Sequence, residues 1–275
     1  MDWDDSYFTM SDENNYTIWL FLKRCHEQGW IYKGHDVMPW CPRCGTGISQ
    51  HEIVTEGYKD TQHMSLYVKL PLVDRPNESL LVWTTTPWTL SSNVAAAVHP
   101  DLDYVRVQQG DETYYLAEGA VKGALRGEHQ VLGTVKGADM LGWEYVGPYD
   151  ELPAAADVRH KVISWTEVGA EEGTGIVHIA PGCGQEDYAL SKENDLAVLA
   201  PLDQLGVFVE GFGPLTGRYV GDTAPWIDDD LREKGRLYRV QVYTHRYPFA
   251  GAAPPSWCSG WWTSGSSRWT DCVPD

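Results

Sequence analysis

The first part of the chain carries the spacing of an amphipathic helix. Ile18, Leu22 and Cys25 fall at positions i, i+4 and i+7, so their side chains share one helical face. Gly29 follows this run and is a residue type that commonly ends helices. The pattern therefore predicts a helix over residues 12–28.

From about residue 57 to residue 207 the period changes to that of strands. Leu66, Val68 and Leu70 alternate with Tyr67 and Lys69, which is the period of a half-buried strand. Further apolar runs, separated by turns rich in Gly and Asp, occur at 80–83, 104–107, 114–116, 131–135, 161–165 and 175–179. Many short strands at close spacing are typical of a closed or nearly closed β-barrel.

Two helices are predicted to interrupt the strands. They lie near residues 185–195 and 223–234, and Gly235 ends the second. The expected fold class is therefore mixed α and β, with a barrel-like centre.

The last 26 residues differ in composition from the rest of the chain. From Ala250 onward there is one Val and no Leu or Ile, while Gly, Ser, Pro and Trp recur. A disordered linker is one interpretation, but linkers are poor in Trp. Since neither a helical nor a strand period is present, residues 250–275 are predicted to be an aberrant tail.

The chain is strongly acidic. Asp and Glu number 39 against 21 Lys and Arg, which gives a net charge of -18. Such a surface argues against a nucleic-acid partner, because phosphate binding depends on Lys and Arg. Adaptation to a salt-rich cell would weaken this objection, since the Debye length falls to about 3 Å at 1 M salt. An ordinary acidic surface that aids solubility is the alternative interpretation.

Hydrophobic residues make up 43% and charged residues 22% of the chain, which is typical of a globular protein. No stretch approaches the roughly 20 apolar residues that a membrane helix needs. The first residues lack the basic and apolar regions of a signal peptide. The six cysteines do not form a dense disulfide framework. We therefore expect a cytoplasmic protein.

A row of hydroxyls follows one predicted strand. The string at 84–89 reads Thr-Thr-Thr-Pro-Trp-Thr, and Asn93 comes shortly after it. Hydroxyls crowded at a strand end are able to hydrogen-bond a sugar or a water molecule. Thr is also simply a good strand residue, so the string alone does not decide between function and structure.

A second candidate is the Gly-rich segment 173–188, where a strand ends in a loop and a helix begins. It contains His178 and, in the first turn of the predicted helix, Asp187. Carboxylates favour helix N-termini for electrostatic reasons alone, and His178 would equally suit a half-buried strand position. Each residue by itself is a weak indication of function.

The third candidate is Cys41-Pro42-Arg43-Cys44. Two cysteines at this spacing suit half of a tetrahedral zinc site. A thioredoxin-type redox role would require the motif to open a helix, and Gly45-Thr46-Gly47 does not begin a helix well. Zinc is therefore favoured, although a structural zinc site needs two further ligands.

Together these segments resemble class I isoleucyl-tRNA synthetases. The similar stretches are 2–4, 38–46, 81–90, 93–95 and 173–188, in the order found in the family. The string at 84–89 is the most specific, since the corresponding segment of valyl and leucyl relatives resembles Thr-Thr-Arg-Pro. One departure is Cys183 between Gly182 and Gly184, because in the family an aromatic residue commonly precedes the second Gly.

The resemblance implies a β-barrel-like editing domain inserted into a fragment of a Rossmann-type nucleotide-binding domain. Residues 1–54 would end the first half of the nucleotide-binding domain, 55–240 would form the editing domain, and 241–249 would return to the nucleotide-binding domain. The family's ATP-binding strings, His-Ile-Gly-His and Lys-Met-Ser-Lys-Ser, do not occur in this sequence. We therefore expect an internal fragment, and ATP and Mg²⁺ are implied only for the full-length family.

The resemblance also assigns roles to individual residues. Asp187 would hold the ammonium group of a wrongly attached amino acid, and His178 would flank the pocket. Thr86, His178 and Asp187 are the expected catalytic residues. The expected substrate-binding residues are Thr84, Thr85, Thr86, Thr89, Asn93, His178 and Asp187.

In the family, the editing domain hydrolyses Val-tRNA(Ile). An apolar pocket discriminates one methylene only about 10- to 200-fold, a limit for which these synthetases are themselves the standard illustration, so a second hydrolytic site is needed. Because none of the candidate residues is a strong base, we expect positioning to dominate, with assistance from the terminal ribose hydroxyl. The expected partner is the 3′ end of tRNA(Ile) carrying Val, without DNA or membrane partners, and the chain is expected to be a monomer.

The resemblance also offers an explanation for the tail. Family members continue after a Tyr-Pro-x string like 247–249 with Cys-Trp-Arg-Cys, the second half of the zinc site. Here the segment 250–253 reads Ala-Gly-Ala-Ala, which the loss of one base would produce. Under this frameshift hypothesis Cys41 and Cys44 form a half-site only, and Zn²⁺ binding is weak or absent.

Three alternatives stay open. A free-standing aminoacyl-tRNA deacylase would use the same pocket, but it has no need of half a nucleotide-binding domain in residues 1–54. A zinc-ribbon interaction module would bind metal and show no deacylation. A truncated product without any activity is the third.

The missing ATP-binding strings generate a prediction. We expect the purified chain to catalyse no ATP–pyrophosphate exchange with isoleucine, because no segment resembles the loops that hold the phosphates. Exchange of labelled pyrophosphate above that of a heat-denatured sample would contradict this expectation.

Overall fold

The computed structural model describes residues 6–48, 58–248 and 262–263. The chain separates into two compact units, one before Asp36 and one that begins at Asp36. The first unit is small, and the second contains all of the described strands.

The first unit is built around helix α1, Asp12–Glu27. Ser11 caps its N-terminus, where the side-chain oxygen accepts a hydrogen bond from the backbone N–H of Asn14. Gly29 follows the helix with a φ of 73°, a left-handed conformation that glycine adopts without strain. The helix predicted over residues 12–28 is confirmed.

The second unit is rich in β-structure. Its strands within the described residues are β1 Met38–Cys41, β2 Thr46–Gly47, β3 Tyr58–Pro71, β4 Glu78–Thr84, β5 Ala95–Val98, β6 Asp103–Gln109, β7 Glu112–Ala117, β8 Gln130–Lys136, β9 Lys161–Ser164, β10 Val177–Ile179, β11 Leu237–Pro248 and β12 Trp262–Thr263. The alternation at 66–70 and each of the further apolar runs correspond to a strand of this set, which confirms those predictions.

The largest sheet has six strands in the order β11-β3-β4-β7-β6-β8. Its pairs are antiparallel except for β4 and β7, which run parallel. The long strands β3 and β11 form an extended ribbon whose register runs from Leu237 opposite Val68 to Pro248 opposite Tyr58. Strand β11 thus continues across position 240, where the sequence predicts the end of the editing domain.

A second sheet has the order β10-β5-β9. Its central strand β5 pairs antiparallel with β10 and parallel with β9. Sequence analysis does not identify β5, because its run of Ala95, Ala96 and Ala97 has little intrinsic preference for strands. This strand lies fully buried at the centre of its sheet.

The third sheet has the order β12-β1-β2. Strand β12 is the described part of the segment 250–275, and it pairs antiparallel with β1. The remainder of the predicted aberrant tail, with Cys258 and Cys272, lies outside the described residues.

The remaining helices in the described residues are α2 Val121–Ala124, α3 Gly137–Met140, α4 Gln185–Asn194 and α5 Ala224–Glu233. Helices α4 and α5 confirm the two that the sequence predicts near 185–195 and 223–234. Short 3-10 helices occur at Pro87–Ser92, Glu118–Ala120, Pro153–Ala155, Gly213–Leu215 and Val220–Asp222.

The mixed α and β class is confirmed, whereas a closed barrel is not. The described strands form three sheets, and none of these closes on itself. Local alternation predicts strands but not their closure, because closure depends on pairings between distant segments. The insertion into a Rossmann-type domain stays a prediction.

A large hydrophobic core joins the six-stranded sheet to helix α5. Leu66, Leu80 and Tyr104 of the sheet are buried in the same cluster as Ile227 and Leu231 of the helix. In the described part of the chain, no helix combines the length and apolar character needed to cross a membrane.

Substitution of two glycines by alanine tests how tightly the loop before β10 is packed. Gly175 has a φ of +68°, and an added Cβ would lie 2.2 Å from the Cβ of Ala117. Gly110 has a similar φ of +62°, but nothing lies within 4 Å of an added Cβ. We expect Gly110→Ala to lower the free energy of unfolding by about 1 kcal/mol through backbone strain alone.

For Gly175→Ala we expect a further loss of about 1–3 kcal/mol, because the new methyl group overpacks the core. Urea unfolding of the two variants measures the difference. Equal losses would show that the loop before β10 is loosely packed.

Candidate active site

One cavity collects several of the residues that the sequence singles out. It has a volume of about 180 Å³ and lies between the 3-10 helix Pro87–Ser92, the end of β10 and the start of α4. Its lining residues are Thr86, Trp88, Thr89, His178, Ala180, Cys183, Gly184, Gln185, Glu186 and Asp187.

The threonine string folds back on itself where β4 ends. The backbone N–H of Thr86 donates to the hydroxyl oxygen of Thr84 at 3.1 Å, and the hydroxyl of Thr89 donates to the carbonyl oxygen of Thr86 at 2.8 Å. The hydroxyl oxygen of Thr86 then lies 3.4 Å from that of Thr84 and 3.5 Å from that of Thr89. The hydroxyls therefore form a continuous row, of which Thr86 and Thr89 face the cavity.

His178 of strand β10 contacts the Thr89 end of this row. It is the central residue of β10, and its Nε2 lies 3.0 Å from the hydroxyl oxygen of Thr89. Burial lowers the pKa of His178 to about 4, so the imidazole is neutral near pH 7. Since the Thr89 hydroxyl already donates to Thr86, we assign the ring proton to Nε2, which then donates to Thr89.

This assignment leaves Nδ1 of His178 as a hydrogen-bond acceptor. Nδ1 is buried and has no hydrogen-bond partner among the described residues. A buried acceptor without a partner is less unusual than a buried N–H donor without one, which favours the same tautomer. The ring is therefore a weak base with one buried acceptor that has no hydrogen-bond partner among the described residues.

Asp187 lies in the first turn of α4 and supplies the carboxylate of the cavity. One of its oxygens accepts a hydrogen bond from the backbone N–H of Ala180 at 2.8 Å. Burial raises the pKa of Asp187 to about 6; the bond from Ala180 lowers it in part, and the nearby Glu186 raises it. The carboxyl group is thus ionised at pH 7, but it keeps a strong tendency to take up a cation or a proton.

The loop between β10 and α4 depends on its glycines. An added Cβ at Gly182 would lie 1.9 Å from the carbonyl oxygen of Leu199, and at Gly184 it would lie 3.1 Å from the carboxyl carbon of Asp187. Between them, Cys183 is buried in the wall of the cavity, and burial raises the pKa of its thiol well above its usual range. The thiol is therefore an apolar, unreactive part of the wall near pH 7.

The structure brings together four of the seven residues expected to bind substrate. Thr86, Thr89, His178 and Asp187 line the same cavity. The three that do not line it are Thr84, Thr85 and Asn93.

Two of those three have partners inside the protein. Thr84 is buried beneath the turn, and its oxygen accepts the N–H of Thr86. Asn93 is also buried; its Oδ1 accepts a hydrogen bond from Tyr145 at 2.8 Å, and its Nδ2 donates to the carbonyl oxygen of Ala95 at 2.9 Å.

Sequence reasoning did not identify the apolar wall of the cavity. Trp88, Ala180 and Cys183 lie within the strings that carry the family resemblance, but their residue types suggest no chemistry. Their role follows only from which loops meet, so no local signal was present to find them.

The predicted zinc half-site forms a compact turn. The backbone N–H of Cys44 donates to Sγ of Cys41 at 3.4 Å, and the backbone N–H of Gly45 donates to the carbonyl oxygen of Cys41 at 2.8 Å. Within residues 6–48, 58–248 and 262–263, no group of three or more His, Cys, Asp or Glu is placed to hold a metal ion. Two thiols alone do not complete a tetrahedral Zn²⁺ site, so these residues do not support zinc binding.

Comparison with known proteins places these features in a family. A family model described as tRNA synthetases class I (I, L, M and V) matches residues 1–266. The isoleucine–tRNA ligase of Methanothermobacter marburgensis is 43% identical over 250 residues, which are 90% of this chain and 23% of that protein. The isoleucine–tRNA ligase of Pyrococcus horikoshii is 40% identical over 262 residues, which are 90% of this chain and 24% of that protein. The chain therefore spans about a quarter of the length of the curated relatives it matches.

Solved structures with a similar fold include domains of leucyl-tRNA synthetases. The crystal structure of GlLeuRS-CP1 aligns with a TM-score of 0.54 at 18% identity and covers 64% of this chain and 99% of that one. The cytosolic leucyl-tRNA synthetase editing domain of P. knowlesi aligns with a TM-score of 0.51 at 11% identity and covers 68% of this chain and 99% of that one. At these identities the similarity concerns the fold alone.

The raised pKa of the half-buried Asp187 leads to a prediction about stability. Because the folded pKa of Asp187 is raised to about 6, its contribution to stability is complete below about pH 4 and is lost as the pH rises to about 6. Asp187→Asn cannot ionise, so its free energy of unfolding relative to that of the wild type should increase between pH 4 and pH 7. We expect an increase of roughly 1–3 kcal/mol.

Urea unfolding at the two pH values measures this change. Glu193→Gln, which removes an exposed carboxylate from the same helix, is the matched control. A pH-dependent gain of the same size in both variants would contradict the special environment of Asp187.

Proposed function

The chain belongs to the class I tRNA synthetase family, and we propose that its β-rich part hydrolyses the ester bond of wrongly charged tRNA. The proposed substrate is Val-tRNA(Ile), bound through the 3′-terminal adenosine and its aminoacyl group. The observation that carries this proposal is the meeting of Asp187, Thr86, Thr89 and His178 around one cavity of about 180 Å³.

Asp187 is the proposed anchor for the ammonium group of the amino acid. A carboxylate with a raised pKa gains from a cationic partner, because the partner offsets the cost of holding a buried negative charge. Trp88, Ala180 and Cys183 form the apolar part of the cavity wall and are the proposed contact for the amino-acid side chain. This arrangement suits an aminoacyl ester with a free amino group, which carries a cation beside an apolar side chain.

The hydroxyl row is the proposed site for the attacking water and the ribose. The hydroxyl of Thr86 faces the cavity from the middle of the row, and it is able to donate to or accept from a bound water molecule. Nε2 of His178 lies 3.0 Å from the hydroxyl oxygen of Thr89 and holds the end of this row. The hydroxyl oxygen of Thr84 accepts the backbone N–H of Thr86, so the proposed contribution of Thr84 is to stabilise the turn.

In the proposed reaction the water oxygen attacks the carbonyl carbon of the ester. The bond between this carbon and the ribose oxygen then breaks. One proton of the water passes to the ribose oxygen and the other is released to solvent, so the amino acid leaves as its carboxylate. His178, with a pKa of about 4, is too weak a base to drive this reaction alone. Positioning of water and ester therefore supplies most of the rate increase, with the terminal ribose hydroxyl assisting.

The same proposal covers the wider organisation of the chain. Residues 1–54 would belong to a nucleotide-binding domain, 55–240 to the editing domain, and 241–249 to a connection between them. The isoleucine–tRNA ligase activity of the relatives is proposed only for a protein that also carries the ATP-binding strings, which this sequence lacks.

Deacylation by the full chain tests the proposal. In buffer of high ionic strength, we expect Val-tRNA(Ile) to be hydrolysed at least about tenfold faster than Ile-tRNA(Ile), the size of effect that one methylene permits. Asp187→Ala should lower kcat/KM for Val-tRNA(Ile) about 100-fold, because the ammonium group loses its charged partner.

Glu193→Ala, on the exposed side of the same helix, is the control and should retain wild-type activity. Equal activity of wild type and Asp187→Ala would show that the site is assigned to the wrong residues. Equal hydrolysis of the two charged tRNAs would refute the proposed substrate.

A further inference from the structure

We propose that Tyr145 is a positioning residue for the cavity: its hydroxyl fixes the side chain of Asn93, and Asn93 holds Thr89 against His178. The proposal rests on the deacylation activity described above. Tyr145 is buried and does not line the cavity. It would therefore act on the reaction through Asn93 and not through the substrate.

Asn93 lies where the 3-10 helix that carries Thr89 meets the strand that carries His178. It is the C-cap of the 3-10 helix Pro87–Ser92, where its backbone N–H donates to the carbonyl oxygen of Leu90 at 3.2 Å. The next residue, Val94, donates its N–H to the carbonyl oxygen of Ile179 in β10 at 2.9 Å. A displacement of Asn93 would consequently move the turn that carries Thr89 relative to the strand that carries His178.

The hydroxyl of Tyr145 determines how the Asn93 amide is oriented. Oδ1 accepts from this hydroxyl at 2.8 Å, while Nδ2 donates to the carbonyl oxygen of Ala95 at 2.9 Å. In the opposite orientation Oδ1 would face the Ala95 oxygen, and two acceptors would repel each other. Asn93 is only 3% exposed, so water does not replace a lost partner easily.

Backbone and ring contacts fix the position of Tyr145, so its hydroxyl is able to orient Asn93. Its backbone N–H donates to the carbonyl oxygen of His160 at 3.3 Å, and it forms an isolated β-bridge with Leu72. Its ring lies 5.1 Å from the His160 ring, whose Nε2 is 2.7 Å from a carboxylate oxygen of Asp150. Burial raises the pKa of Tyr145 well above its ordinary value, so the hydroxyl remains protonated and available as a donor.

Kinetics of the full chain with Val-tRNA(Ile) give the first test. Tyr145→Phe keeps the ring and removes the hydroxyl, which leaves Oδ1 of Asn93 without its donor. We expect kcat to fall about fivefold to tenfold, the effect of one lost buried hydrogen bond, while KM stays within about twofold. A rise in KM at unchanged kcat would overturn the proposal, because it would indicate a role in binding.

A double-mutant cycle separates action through Asn93 from general loss of stability. If Tyr145 acts through Asn93, the double variant Tyr145→Phe/Asn93→Ala should have the same kcat as Asn93→Ala alone. Additive losses in the double variant would overturn the proposal.

Tyr115→Phe is the matched control for these measurements. Tyr115 is also buried, and its hydroxyl donates to a carboxylate oxygen of Glu78 at 2.7 Å, but it does not line the cavity. We expect its kcat to remain that of the wild type. A loss equal to that of Tyr145→Phe would show that any buried tyrosine hydroxyl has this effect and would overturn the proposal.

Hydrogen exchange supplies a readout that does not need activity. In Tyr145→Phe we expect about tenfold faster exchange in segments 87–96 and 177–179, and in Tyr115→Phe we expect no change there. Unchanged exchange in Tyr145→Phe would overturn the positioning role even if the wild-type chain proved inactive. An inactive wild type would refute the proposed function, whereas an active wild type with an unaffected Tyr145→Phe variant would refute this inference alone.

Discussion

The pairing of β10 with β5 is the constraint on which the cavity depends. Its register places Val177 opposite Ala97, His178 opposite Ala96 and Ile179 opposite Ala95. A shift by one residue would turn His178 to the other face of the sheet. Since β5 follows directly on the 3-10 helix Pro87–Ser92, the same register sets the 3.0 Å contact between His178 and Thr89.

Small side chains make this arrangement possible. The three alanines of β5 are fully buried, and the strand separates two hydrophobic clusters. Ala96 and Val98 face the larger cluster, while Ala95 and Ala97 face the smaller one. Because an alanine needs little space on either side, the elements on the two faces of β5 pack close to this strand. Larger residues at these positions would push the two clusters away from β5.

Burial also gives the cavity its electrostatic character. Burial keeps His178 neutral and raises the pKa of Asp187 to about 6, so the charge of the site comes from the carboxylates of Asp187 and the neighbouring Glu186. A carboxylate with a raised pKa gains from a cationic partner, which is the basis of the proposed ammonium site. The net charge of -18 does not by itself identify a partner. Local environment, and not total charge, therefore describes the chemistry of this chain.

The sequence by itself determined the elements whose signal is local. The helix Asp12–Glu27 and the alternating strand around residues 66–70 follow from simple periods, and the family resemblance of two short strings identified the candidates Thr86 and Asp187. The tertiary structure alone decided what depends on distant pairings. These are the open sheets in place of a barrel, the buried alanine strand and the bond between Asn93 and Tyr145, which lie 52 residues apart. The physical reason is that periodicity reports which face of an element is buried, whereas only packing selects the residues that it is buried against.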